Sequence, residues 1–311
     1  MNKEMILEAL QIRYVDLTFS LTMLENTMLP RNKASMLRGG MGQMLLSQNC
    51  IRDQHCEVCD FESECLVRRM MYSKFEIQPK FASRGDSIGY VIECENDKEY
   101  FRRGEQLEFH LLLYGKTIAY FTQFFQAFFM LGQQGIGKEK ARFIISKVIN
   151  EKGELVADDH NICIQKLGIR TVADYVKERK MQIEKKNCKA IMIFKTPVTL
   201  KYQGEFILQF HEEAIVRSIL RRIYSFDCFE GNGVPLMEIG EDIPIISSQE
   251  VRFVAVPRYS STMQGKMQLR GIIGEVTFDC FSEEMLMIFL AGEKLHIGKN
   301  TSFGFGKYTI K

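Results

Sequence analysis

Apolar and polar residues alternate loosely from residue 9 to 21, where Ile12, Tyr14, Val15, Leu17, Phe19 and Leu21 predict a first strand. After Pro30 the period changes. Met36, Leu37, Met41, Met44 and Leu45 recur at helical spacing and predict a helix from about Lys33 to Asn49. Gly39, Gly40 and Gly42 weaken that helix by roughly 1 kcal/mol each relative to Ala. Two extended segments follow a cysteine-dense loop, around residues 88–94 and 106–113. Residues 117–131 are apolar nearly all round and hold five phenylalanines, which would suit base stacking or burial against a sheet. Burial is the expectation, because a helix without a polar face belongs in a core.

The run from Lys177 to Lys189 is rich in lysine and reads as a solvated boundary. Beyond it come a strand at 190–197, a helix at 212–225, strands at 251–256 and 272–278, a helix at 282–295 and a strand after Gly304. The two halves can be laid over each other. In each, a strand and a helix lead to an Ile-Gly-Lys tripeptide, Ile136-Gly137-Lys138 in one and Ile297-Gly298-Lys299 in the other, and then to a further strand. This pattern predicts a duplicated α+β unit of the order β-α-β-β-α-β, the ferredoxin-like arrangement. The expected domains are residues 1–176, with the cysteine-rich loop 50–65 inserted, and residues 190–311.

Composition narrows the class. A chain of 311 residues suits two domains, and its 46% hydrophobic and 26% charged residues suit a globular rather than a disordered protein. A net charge of +2 excludes a polybasic protein but leaves room for a local anion-binding face. The N-terminal residues Met1 to Glu8 carry acids where a secretory signal needs an apolar stretch, and no apolar run reaches membrane-spanning length. Nine cysteines, an odd number, argue against a disulfide framework. A reduced, cytoplasmic protein is expected.

Three stretches carry a family resemblance. They are Leu37-Arg-Gly-Gly-Met-Gly42 with the cysteines that follow, Gly104 to Lys138, and Gly271 to Tyr308 with its Leu295-His-Ile-Gly-Lys-Asn-Thr-Ser-Phe-Gly-Phe-Gly-Lys-Tyr308 tail. Together they resemble the CRISPR repeat-processing endoribonucleases of the RAMP superfamily. The resemblance implies tandem ferredoxin-like folds with a glycine-rich loop near the C-terminus, working in antiviral defence. It implies metal-independent cutting of CRISPR repeat RNA by a 2′-hydroxyl on the adjacent phosphate, leaving a 2′,3′-cyclic phosphate and a 5′-hydroxyl. The implied partners are repeat RNA or mature guide RNA and subunits of a CRISPR effector complex, with no membrane and no DNA. Two other readings stay open. One is a non-catalytic RAMP subunit that holds guide RNA; the other is a metal-dependent regulator centred on the cysteines.

Among single residues, Gly298, Gly304 and Gly306 would allow phosphate close to the backbone, with Lys299 and Lys307 as cations and Thr301 and Ser302 as hydroxyl donors. The alternative is a helix cap at Gly298 followed by glycines that only turn the chain. The resemblance implies a catalytic histidine on or near the first helix of the N-terminal unit, and Asn32–Asn49 has none. Of His55, His110, His160, His211 and His296, the last is the nominee by elimination, with Lys299 beside it as a catalytic cation. Arg31, Lys33 and Arg38 form a candidate phosphate-positioning patch, or else a solvated basic face. Arg217, Arg221 and Arg222 rank below the loop. Cys50, Cys56, Cys59 and Cys65 have a spacing that could close a structural zinc site, an iron–sulfur cluster being less apt. Cys94, Cys163, Cys188, Cys228 and Cys280 read as ordinary buried residues.

Overall fold

A computed structural model describes residues 2–54, 56–72, 75–82, 87–183, 189–238, 240, 242–260 and 265–311. His55 and Cys188 lie outside the described residues. The N-terminal half contains α1 (Lys3–Ala9), β1 (Arg13–Met23), β2 (Thr27–Met28), α2 (Lys33–Asn49), α3 (Leu66–Met71), β3 (Tyr90–Glu93), β4 (Tyr100–Phe101), β5 (Gln106–Tyr114), α4 (Phe121–Gln134), β6 (Phe143–Asn150), β7 (Leu155–Ala157), β8 (Arg170–Thr171) and α5 (Val172–Ile183). The C-terminal half contains β9 (Ala190–Phe194), β10 (Lys201–Tyr202), β11 (Glu205–Phe206), α6 (Glu212–Glu230), β12 (Ile246–Ser260), β13 (Gly265–Phe278), α7 (Glu283–Leu295) and β14 (Tyr308–Ile310).

Both sheets have the ferredoxin-like order. The first runs β3-β5-β1-β6-β7 and the second β12-β13-β9-β14, so the second and third strands of each β-α-β-β-α-β unit lie to one side of its first strand. The expected duplication is therefore present in the backbone. Gly137 and Gly298, matched in sequence, share a positive φ of 74° and 79°.

Local chemistry sets the helix ends. Asn32 caps α2 by accepting a hydrogen bond from the Ser35 amide at 3.2 Å, and Ser282 caps α7 through the Met285 amide at 3.3 Å. The phenylalanine-rich segment is buried as expected, with Phe124 and Phe128 of α4 packed among Phe19, Phe109 and Leu37. Its first turn is a 3₁₀ turn over Gly115–Tyr120, because Gly115 at φ 53° swings the chain sharply off β5.

Two differences from the expected layout matter. First, α1 and α5 belong to the core of the C-terminal half: Ile6, Leu10, Val172 and Val176 are buried in one cluster with Ile219 and Ile288. Second, β12 and β13 are much longer than their apolar cores suggested. β9 pairs only with Glu275–Phe278 of β13, so most of this hairpin continues past the sheet on its own hydrogen bonds. No helix among the described residues is long and apolar enough to cross a membrane.

Candidate nucleic-acid interface

An open cleft of about 1010 Å³ lies where Arg38 of α2 faces the C-terminal half. Its other walls are the loop Gly298–Phe303, the strand-and-turn segment Thr199–Gly204 and one face of α6. Cations dominate it. Arg217 and Arg221 stand one helical turn apart on α6, which aims both at the cleft, and Lys201 and Lys299 flank the Phe206 ring at 4.5 and 6.0 Å. The acid in the wall is Glu213; the Tyr202 hydroxyl at 2.6 Å and the Arg217 guanidinium hold its carboxyl below the usual range. Lys201, Lys299, Arg38 and Arg221 have no carboxylate partner among the described residues, so their charge is open to an anion from solution.

The glycine-rich loop enters this cleft in a different way from the one expected. Thr301 and Ser302 line it as hydroxyl donors, and Lys299 lines it as a cation. Gly298 also lines the cleft, whereas Gly304 and Gly306 face protein, and the amides of all three are engaged within the chain. The Gly298 amide donates to Ser218 Oγ at 2.9 Å, Gly304 to the Thr301 carbonyl at 2.8 Å and Gly306 to the Pro197 carbonyl at 2.9 Å. A Cβ at residue 304 would lie 2.7 Å from the Ile92 carbonyl oxygen, and one at 306 would overlap the Ile297 carbonyl. These glycines let the loop press against the chain; their amides are not donors to phosphate. The glycines of α2 differ among themselves. Gly40 makes room for Leu131 and Gly42 for Met71, and only Gly39 faces open space.

His296 is not in the cleft. Its side chain is fully buried, its Nε2 donates to Glu93 Oε1 of β3 at 2.6 Å and its Nδ1 donates to the Phe305 carbonyl at 2.9 Å. Both ring nitrogens face acceptors inside the protein, so neither is presented to a ribose in the cleft. Lys307 is also taken, by Glu93 at 2.5 Å and Glu95 at 2.6 Å. Burial alone would push the Glu93 carboxyl up, but the His296 ring and the Lys307 ammonium outweigh it and hold it well below the usual carboxylate range. The expected catalytic histidine and phosphate lysine are thus an ionic fastening between the two halves. His211, whose ring stacks 4.0 Å from that of the cleft residue Tyr202, is the histidine that the structure brings toward the site.

The N-terminal patch divides. Arg38 is in the cleft, whereas Arg31 pairs with Asp97 at 2.9 Å on exposed surface. Lys33 is fully buried, donates to the Asn96 carbonyl at 2.9 Å and lies over the Phe101 ring, so it is a core residue. Burial pushes its ammonium down from the ordinary lysine range. Cys50, Cys56, Cys59 and Cys65 are free and half-buried, with Cys50 ending α2 and Cys65 opening α3. Cys56 lies within electrostatic reach of Cys50, Cys59 and Cys65, and among the described residues no three His, Cys, Asp or Glu side chains are arranged to hold a metal. Sequence reasoning passed over Lys201 and Arg258; basic residues on short strands give no periodic signal.

Family models match both halves. One, described only as an N-terminal domain, matches residues 10–168, and that for the CRISPR-associated endoribonuclease Cas6 matches residues 192–308. The C-terminal half of the chain belongs to the Cas6 family. Solved structures agree with it in fold. A Cas6 product complex from Thermus thermophilus is 15% identical with a TM-score of 0.51, covering 96% of this chain and 100% of that one. A second Cas6 product complex is 14% identical with a TM-score of 0.52, covering 96% and 99%. A partial Cas6-RT-Cas1–Cas2 complex reaches a TM-score of 0.60 at 10% identity, and there the chain spans 46% of the matched chain's length. No curated protein matches the chain in sequence. The cleft of this chain lies between residues of both ferredoxin-like units and is bounded by the loop after α7.

Proposed function

We propose that this chain is an endoribonuclease that cuts CRISPR repeat RNA in the Arg38–Lys299 cleft without a divalent metal. The observation that carries the reading is the excess of unpaired cations in that cleft, within a chain whose C-terminal half belongs to the Cas6 endoribonuclease family. The bound phosphodiester would take its charge compensation from Arg38, Lys201, Arg221 and Lys299. Among the described residues the carboxylate in the cleft wall, Glu213, is committed to Tyr202 and Arg217. In the reaction a ribose 2′-oxygen bonds to the adjacent phosphorus as its proton passes to solvent water, and the bond from phosphorus to the 5′-oxygen breaks. The Lys299 ammonium is the nominee for protonating that leaving oxygen. His296 positions the loop that carries Lys299.

The test is incubation of the protein with repeat RNA in excess EDTA. A single cut is expected, and a 2′-deoxy substitution 5′ to the cut should abolish it. Cutting of the deoxy substrate, or an absolute magnesium requirement, overturns the mechanism. Lys299→Ala should slow the cut by roughly 10²-fold or more at saturating protein. One observation favours a second reading: the described residues lining the cleft include no histidine. Tight binding of repeat RNA with no cut by the parent protein would establish a guide-RNA-binding subunit instead.

A further inference from the structure

Two arginines from opposite halves of the chain meet on one aromatic ring beside the cleft. The guanidinium of Arg38, on α2, lies 4.1 Å from the Phe303 ring centroid, and that of Arg258, on β12, lies 4.7 Å from it. Arg38 Nε donates to Ser302 Oγ at 3.2 Å and its Nη2 reaches Ser87 Oγ at 3.5 Å. Arg258 has poorer company. Among the described residues its Nη2 reaches the Met267 sulfur at 3.5 Å, and its buried Nε has no hydrogen-bond partner there.

No carboxylate pairs with either arginine among the described residues. The charged group that acts on Arg258 is Arg38 itself, and burial together with that like charge pushes the Arg258 guanidinium below its ordinary range. Two guanidiniums remain protonated at any physiological pH, so this arrangement leaves repulsion and an unmet donor that neighbouring side chains do not relieve. A planar fork beside a second fork matches the spread oxygens of one phosphate. Phe303 and Ser302 line the cleft, which sets the pair of guanidiniums at its edge.

We propose that Arg38 and Arg258 form a clamp for a single phosphodiester of the bound RNA, closed jointly by the N-terminal helix α2 and the C-terminal hairpin β12–β13. The clamp rests on the reading of the cleft as an RNA site. It makes the long hairpin part of the substrate site rather than a structural extension, and it couples the two halves through the substrate.

The test measures binding of the full chain to repeat RNA across a salt series, with Arg258→Met, Arg258→Lys and a set of RNAs each carrying one neutral methylphosphonate linkage. Arg258→Met should weaken binding about ten-fold and lower the slope of log affinity against log salt by about 1. Arg258→Lys, which keeps the charge and guards against a hairpin that merely misfolds, should retain the parental slope. On one methylphosphonate RNA the parent and Arg258→Met should bind equally, because the contacted charge is gone. The clamp is overturned if Arg258→Met keeps the parental affinity and slope, or if its deficit persists on every methylphosphonate RNA. Inorganic phosphate at millimolar concentration should not erase the deficit; if it does, the site takes a free anion instead and the clamp fails. A parent protein that binds no repeat RNA at all is a different outcome, since it removes the RNA reading on which the clamp stands.

Discussion

His296 has φ 57° and ψ 155°, a region that residues with a side chain rarely enter. The matched position in the first unit is Gly135, with φ 87° and ψ 156°. The duplicated turn therefore asks for glycine, and the second unit uses histidine there at a cost of about 1–3 kcal/mol. The two buried hydrogen bonds to Glu93 and the Phe305 carbonyl offset that cost. His296→Ala loses the bonds and keeps the strain, whereas His296→Gly loses the bonds and relieves it. Urea unfolding should accordingly place His296→Gly about 1 kcal/mol above His296→Ala, both below the parent. Equal or reversed midpoints would show that the turn is not strained. A histidine before a glycine-rich loop was visible in the sequence. Its partner Glu93, 203 positions away, was not, and that partner decides what the ring does.

At the scale of the element, α2 shows why glycine count is a poor guide to ligand approach. Its boundaries, Lys33 to Asn49, follow from the apolar spacing and the Asn32 cap. Its three glycines look alike in sequence and differ in surroundings. Gly39 faces open space, so Gly39→Ala should raise stability by about 0.5–1 kcal/mol through helix propensity. Gly306→Ala, in the loop after α7, meets the Ile297 carbonyl at a positive φ and should destabilise by more than that. Thermal midpoints of the two variants check the pair. A stabilising Gly306→Ala would mean the loop has room for phosphate after all.

The whole molecule is knitted by more than a boundary between two folds. α1 and α5, the latter running into the lysine-rich stretch, complete the core around α6 and α7. Lys294 of α7 reaches Asp16 of β1 at 2.7 Å and Glu151 at 2.5 Å, and the Tyr114 hydroxyl donates to the Lys294 carbonyl at 2.5 Å. Cutting the chain at 189 would strip apolar cover from one unit and leave buried charges unpaired. The intact protein should therefore unfold in one cooperative step, with calorimetric and van't Hoff enthalpies equal, and residues 190–311 alone should lack a cooperative transition. A fragment that folds by itself with a sharp melt would show the halves to be independent.

The order of strands and helices, the duplication and the burial of the phenylalanine helix were legible in the chain, because each depends on residues close in sequence with a fixed period. The same holds for the cationic loop residue Lys299 and for Arg38, whose neighbours along the chain already mark a special segment. Which glycines touch protein, which lysines are neutralised and which arginines are left without an acid depend on contacts between residues hundreds of positions apart. Lys33 and Lys307 look like phosphate ligands in sequence and are engaged elsewhere by burial or by Glu93, while Arg258 gives no sequence signal and stands beside the cleft. Charge pairing is a property of the packed molecule, since a side chain is free to bind an anion only when the fold has given it no carboxylate of its own.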